Sequence, residues 1–296
     1  MSDGHPYSRA RDSLRRAASW AISLIEADSC GAGSSGGKGF EKGNKCAKKR
    51  RGRPQEQFTL NLSATVPKEL FVPAMSKPIH RNAQDTQEEL YEAAKKNMDG
   101  SADSFPEVLK TSLEQKIDFE ELTFGQALDK SGKNSPLPFL LVAPLKGMER
   151  ANEKVAAKYK GDWTRLTDVV RGTVSVPKAR QVRTVVSALR SGLRAHGWSI
   201  EPKSLEDKYA SPTPAGYRDV AMLLRAPNGQ LCELQVNTHS MWYAKESKGH
   251  KMYEEYRRLS ESSVELSAEQ KSRKLSLEEG MKDLYRSAYE LMTKGS

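Results

Sequence analysis

The sequence predicts a mixed α/β fold, a β-sheet flanked by helices, behind a disordered basic amino-terminal tail. Three observations carry this reading. Beyond Pro138, short β-branched or alternating runs are interleaved with strongly periodic helical segments. Residues 1–55 combine a Gly/Ser-rich stretch with a basic run and hold 12 Lys/Arg against 5 Asp/Glu, a balance of +7. The other 36 of the 48 basic and 33 of the 38 acidic residues nearly cancel in the rest of the chain, at +3. The 296 residues are 37% hydrophobic and 29% charged, enough for one large domain or two small ones. Mean hydropathy is −0.70. No run approaches the roughly 20 apolar residues of a membrane span. Cys30, Cys46 and Cys232 lie far apart with no CxxC pair, so neither a disulfide framework nor a zinc cage is indicated, and a reducing, cytoplasmic compartment is expected.

In the tail, Leu14, Ala18, Ile22 and Ile25 recur at helical steps beside Arg9, Arg11, Arg15 and Arg16, predicting a short amphipathic basic helix over residues 8–26. A surface helix docked on the body is the alternative. It lacks a secretory h-region, and Asp3 and Asp12 weigh against a transit peptide. Gly31-Ala-Gly-Ser-Ser-Gly-Gly-Lys-Gly39 reads as a flexible linker, followed by a basic run over residues 45–54. Within it, Arg51-Gly-Arg-Pro54 resembles the core of an AT-hook, a minor-groove contact; a nuclear import signal, a nonspecific polyanion contact and a solvated charged tail are the alternatives.

Residues 56–137 form a mostly helical layer. Residues 58–66 alternate as a half-exposed strand would, and helices are expected at 86–97 and 105–128. From residue 138 to 258 the elements are a short apolar run at 139–143, a helix at 148–160, a buried strand at 166–176 and a helix at 178–196. The last has Val182, Val185, Val186, Leu189 and Leu193 in one stripe. Residues 218–226 and 230–237 alternate and are joined by Pro227-Asn-Gly229, an antiparallel hairpin. A helix at 240–259 closes this unit, and residues 259–296 supply a last amphipathic helix.

Asp168 stands at the start of one expected strand and Glu233 within another, and carboxylates on neighbouring strands suit Mg²⁺-dependent phosphoryl transfer. Lys146, Arg171, Lys203 and Lys208 could neutralise a triphosphate, and Tyr217 offers a face for a base. Taken singly, each also fits an ordinary surface or ion-pair role. Glu246 and His250 lie four apart on the 240–259 helix, as part of the site or as a surface pair.

The order of the motifs is more specific. Lys146, Leu166-Thr-Asp-Val-Val-Arg-Gly172, Asp207-Lys-Tyr leading to Gly216-Tyr-Arg218, Glu233-Leu-Gln-Val-Asn-Thr238 and Ala244-Lys-Glu-Ser-Lys-Gly-His250 together resemble the RelA/SpoT-like nucleotidyltransferase domain, over residues 138–258. The resemblance implies a nucleotidyltransferase-like mixed sheet and pyrophosphate transfer from ATP to a 3′-hydroxyl. The acceptor is GDP or GTP in (p)ppGpp synthetases, and an adenosine nucleotide or tRNA in toxin-like members. It implies that Asp168 and Glu233 hold Mg²⁺, with Glu233 also able to activate the hydroxyl. Lys146 and Arg171 would contact ATP phosphates and Tyr217 would stack on the acceptor base; Lys203 and Lys208 are further candidate phosphate contacts, and Arg218, Gln235 and Asn237 further candidate acceptor contacts. Three departures stand out: Ala221 where the synthetases have histidine, Asn237 where they have arginine, and Asp207-Lys208 for their Lys-Asp order. No His-Asp hydrolase segment is present, so alarmone hydrolysis is not expected. A secreted toxin or effector is one expectation. The alternative is an inactive transferase-like domain that binds nucleic acid or a partner, with residues 45–54 as the contact.

Overall fold

The alternation read in residues 218–238 is the centre of the sheet. β6 (Val220–Arg225) and β7 (Leu231–Thr238) pair antiparallel, with Met222 opposite Leu234. At the turn between them Ala226 N donates to Gln230 O (2.9 Å) and Gly229 takes φ +83°. A side chain at that φ is strained, and its Cβ would lie 2.5 Å from that of Ala83. This computed structural model describes residues 60–73, 78–133, 135–262 and 264–294. The helix expected over 8–26, the Gly-rich stretch, the basic run at 45–54 and the start of the strand expected at 58–66 lie outside the described residues.

Five more strands complete a mixed sheet: β1 (Glu120–Glu121), β2 (Phe139–Val142), β3 (Arg171–Val176), β4 (Ser199–Ile200) and β5 (Glu206–Asp207). Their order is β1-β2-β3-β7-β6-β4, with β5 on the same edge of β6 as β4. β1 runs parallel to β2 and β3 parallel to β7; the other pairings are antiparallel. Around the sheet lie α1 (Gln87–Lys96), α2 (Phe105–Glu114), α3 (Phe124–Gly132), α4 (Met148–Tyr159), α5 (Ala179–Gly192), α6 (His239–Ala244), α7 (His250–Ser260) and α8 (Ala268–Lys294). A π-helical turn, Lys245–Gly249, joins α6 to α7.

Because side chains alternate along a strand, the sheet has two chemically distinct faces. One carries Val174, Val176, Met222, Leu224, Leu234 and Val236 and is sealed by Val182, Val185, Val186 and Leu189 of α5, all buried. Each such side chain stabilises the fold by roughly 1.5–3 kcal/mol relative to exposure. The other face presents Thr173, Glu233 and Gln235, and the candidate site is built there.

Three expectations are corrected. Residues 60–66 are not a strand: Leu60, Leu62 and Val66 are buried around a 3₁₀ turn, Leu62–Ala64, and Arg183 and Arg190 donate to the carbonyls of Leu60 and Thr65 in place of a neighbouring strand. The helix expected over 105–128 is two helices with β1 between them, because Gln126 Oε1 accepts from Thr123 N (3.0 Å) and starts α3 afresh. The strand expected from 166 begins at Arg171, and Asp168 therefore sits in the loop before it.

Candidate active site

The loop before β3 is laced to the segment after β2 and to β7, and this brings the first charged groups into contact. Lys146 N donates to Val169 O (3.0 Å) and Glu233 N to Val170 O (2.9 Å). The parallel register then sets Arg171 beside Glu233. Asp168 Oδ2 receives both Lys146 Nζ (3.0 Å) and Lys154 Nζ (2.8 Å), while its buried Oδ1 has no hydrogen-bond partner among the described residues. Burial alone would raise the Asp168 carboxyl, but the two ammonium groups outweigh it and hold it below the ordinary carboxylate range. Burial likewise opposes the charge on Lys154, and the nearby Asp168 and Glu233 carboxylates reverse that and raise it. The cluster is an anion held by two cations, with one carboxylate oxygen left over.

Glu233 is where this cluster meets an open cleft of about 310 Å³ lined also by Ser204, Glu206, Lys208, Leu223 and Gln235. Gln235 Nε2 donates to Glu233 Oε1 (2.6 Å), and Lys245 Nζ donates to Gln235 Oε1 (2.8 Å) while pairing with Glu246 (2.9 Å). The chain Lys245–Gln235–Glu233 fixes which way the amide points and thus which carboxylate oxygen of Glu233 is engaged.

Further along the same face, Lys208 bonds buried Asp219 (2.7 Å) and pairs with Glu206 (3.4 Å). Burial opposes its charge, but the two carboxylates raise its pKa. The Tyr217 hydroxyl lies 2.9 Å from Asp219 Oδ2 and 3.1 Å from the Asn237 amide oxygen. Its single hydrogen goes to the charged acceptor. Burial first and then Asp219 push the Tyr217 phenol well above its ordinary value, so it stays a neutral donor.

The structure therefore brings Asp168, Lys146, Arg171, Glu233 and Gln235 together, with Lys208 lining the adjoining cleft. Other expected site residues are placed differently. The Tyr217 ring packs against Tyr285 (centroids 5.2 Å) with its hydroxyl turned inward, and Asn237 is fully buried behind it. Arg218 lies over the Tyr289 ring (4.2 Å) and donates to Gly216 O (2.9 Å). Lys203 is exposed in a turn, with φ +57°, outside the cleft lining. Glu246 is engaged by Lys245, whereas His250 pairs on the surface with Glu254 (3.1 Å) and not with Glu246.

Lys154, Lys245 and Asp219 were not legible as site residues. Lys154 had one weak signal, a charged residue three after Ala151 and one before Val155, the buried positions of α4. Among the described residues no group of three or more His, Cys, Asp or Glu is arranged to hold a metal. A two-carboxylate site completed by substrate phosphates remains compatible with Asp168 and Glu233, and the unpartnered Asp168 Oδ1 is the oxygen such an ion would find free.

No family model matches the chain. The curated (p)ppApp synthetase toxin Tas1 of Pseudomonas aeruginosa (strain UCBPP-PA14) is 28% identical over 189 residues, covering 55% of this chain and 39% of that protein. The chain thus spans less than half the length of that relative. Among solved structures, the complex of the type VI effector Tas1 with its immunity protein matches at 23% identity and TM-score 0.37, over 63% of this chain and 96% of that one. Small alarmone synthetase 1 of Bacillus subtilis bound to its product pppGpp matches at 14% and 0.40, over 53% and 74%. A GTP pyrophosphokinase family protein of Streptococcus pneumoniae matches at 18% and 0.44, over 71% and 91%. No described helix is long and apolar enough to cross a membrane.

Proposed function

We propose that this RelA/SpoT-like chain is an ATP pyrophosphotransferase that places a pyrophosphoryl group on the 3′-hydroxyl of a nucleotide. The observation that carries the reading is the position of Glu233, shared between the cation-rich cluster around Asp168 and the open cleft. In this reading the triphosphate lies on the cluster and the acceptor in the cleft. Lys146, Lys154 and Arg171 supply fixed positive charge for phosphate oxygens. The acceptor oxygen attacks the β-phosphorus, the bond between that phosphorus and the oxygen bridging to the α-phosphate breaks, and AMP leaves. Glu233 takes the hydroxyl proton, and Gln235 with Lys245 keeps its carboxylate aimed. Mg²⁺ held by Asp168 and Glu233 with substrate phosphates would offset charge on the transferred group. Two lysines already neutralise Asp168, so the ion fits best when it arrives with the triphosphate.

The curated relative is named a (p)ppApp synthetase toxin, which favours an adenosine nucleotide as acceptor and a toxic role in a target cell. An RNA 3′ end is the broader version of the same chemistry. AMP release from ATP with Mg²⁺ tests the reading, with adenosine nucleotides, guanosine nucleotides or total tRNA as acceptors. Wild type should release AMP with at least one acceptor, and Glu233→Gln should be about 10²-fold slower or worse. No AMP from folded wild type with any acceptor overturns the proposal.

A further inference from the structure

The excess positive charge of residues 56–296 is concentrated in one segment remote from the cleft. Those residues carry 36 Lys/Arg against 33 Asp/Glu, yet residues 177–197 alone contain Lys178, Arg180, Arg183, Arg190 and Arg194 and no acidic residue. Without that segment the same body is slightly acidic, 31 against 33. α5 buries its valines and Leu189 on the apolar side of the sheet, so its opposite surface faces solvent on the side away from Glu233 and Gln235. With 3.6 residues per turn, Arg180, Arg183 and Arg190 fall within an arc of about 80°. Arg194 continues the row in the 3₁₀ turn Leu193–His196. At 1.5 Å per residue the exposed ridge is about 20 Å long.

Two of these side chains are already ordered. Arg183 and Arg190 donate to the carbonyls of Leu60 and Thr65, which are neutral acceptors and leave the guanidinium charge uncompensated. Among the described residues none of the five cations has an ion-pair partner, and Asp103, near the end of the ridge, is held by His196 (3.1 Å).

We propose that this arginine ridge binds the phosphodiester backbone of a nucleic acid. Guanidinium forks match phosphate oxygens in pairs, and pre-ordered arginines lose less freedom on binding. Protein partners are usually anchored by buried aromatic or aliphatic side chains. None of the large exposed apolar residues described lies on α5. The ridge is independent of the pyrophosphotransferase reading, since it lies on the other side of the sheet.

The test is fluorescence anisotropy of the full chain with a labelled DNA duplex and a single-stranded RNA, each across a salt series. Arg180→Gln/Arg194→Gln is the variant of choice, because neither side chain makes a bond in the described structure; its melting temperature should match wild type. The expected result is about tenfold weaker binding at low salt and a slope of log K against log salt shallower by about 1–2, with Arg180→Lys/Arg194→Lys restoring the slope. The nucleic acid whose binding changes more identifies the preferred backbone. An unchanged affinity and slope for both nucleic acids overturns the proposal. So does a polyglutamate peptide that binds as tightly and loses as much on substitution, which assigns the ridge to an acidic protein.

Discussion

Two buried side chains tie stability to acid in different pH windows. His239 is fully buried; Nε2 donates to Leu137 O (3.0 Å) and Nδ1 accepts from the Ser175 hydroxyl (2.8 Å), with the ring stacked on Phe139. Burial lowers its pKa to about 4 from the ordinary 6.5. Between those values the unfolded chain takes up a proton that the folded chain refuses, so stability falls as pH drops from about 6.5 to 4, by about 3 kcal/mol in all. Asp168 works lower. Its folded carboxyl is held below the ordinary 3.8, so its contribution is complete above that value and is lost as pH falls through the folded pKa. Thermal melts from pH 7 to pH 3 check both. His239→Gln should remove most of the loss between pH 6.5 and 4, and Asp168→Asn should flatten only the part below about pH 4. Wild-type melting temperatures that stay level from pH 6.5 to 4 would refute the His239 assignment.

At the scale of elements, the π-helical turn is held by a close approach that only glycine permits. A Cβ on Gly249 would lie 2.2 Å from Tyr285 Oη and 3.2 Å from Ala244 O, so Gly249→Ala must displace the buried Tyr285 ring from the turn. Overpacking of this kind costs about 1–3 kcal/mol, several degrees in melting temperature for a unit of this size. Tyr285→Phe removes the nearest atom, and the double variant should recover part of the loss; strictly additive losses on differential scanning would place the strain elsewhere. Which elements the sequence revealed follows from the same competition between local pattern and tertiary contact. The β6–β7 hairpin and α5 were legible because period-2 alternation and a 3.6-residue stripe agree with the faces they bury. Residues 60–66 alternate just as well, but Arg183 and Arg190, more than a hundred residues away, capture the backbone and no strand forms. The break between α2 and α3 had a local signal in the Thr123-x-x-Gln126 capping box, but the strand inside it did not, because β1 forms where β2 offers it a parallel neighbour.

For the whole molecule, the candidate site was legible where chemistry and motif order coincide, at Lys146, Asp168, Arg171 and Glu233, and hidden where a residue acts through register. Lys154 reaches Asp168 from α4 and Lys245 reaches Gln235 from the π turn, contacts that need the fold before they mean anything. Residues 58–296 form one compact unit, and the described apolar core runs from Leu60 to Met292, drawing on α2, α5, the sheet and α8. A chain starting at Phe58 should therefore keep a single cooperative transition within about 2 °C of the full chain, together with its AMP-release rate. It would lose the 12 basic residues of positions 1–55, so its nucleic-acid affinity should fall and its salt slope should become shallower, while the slope lost on Arg180→Gln/Arg194→Gln should persist in the shorter chain. Those two slopes separate charge carried by the leading segment from charge carried by α5. A shortened chain that melts without cooperativity would mean that residues before Phe58 complete the core, and the division of the molecule at that point would have to be withdrawn.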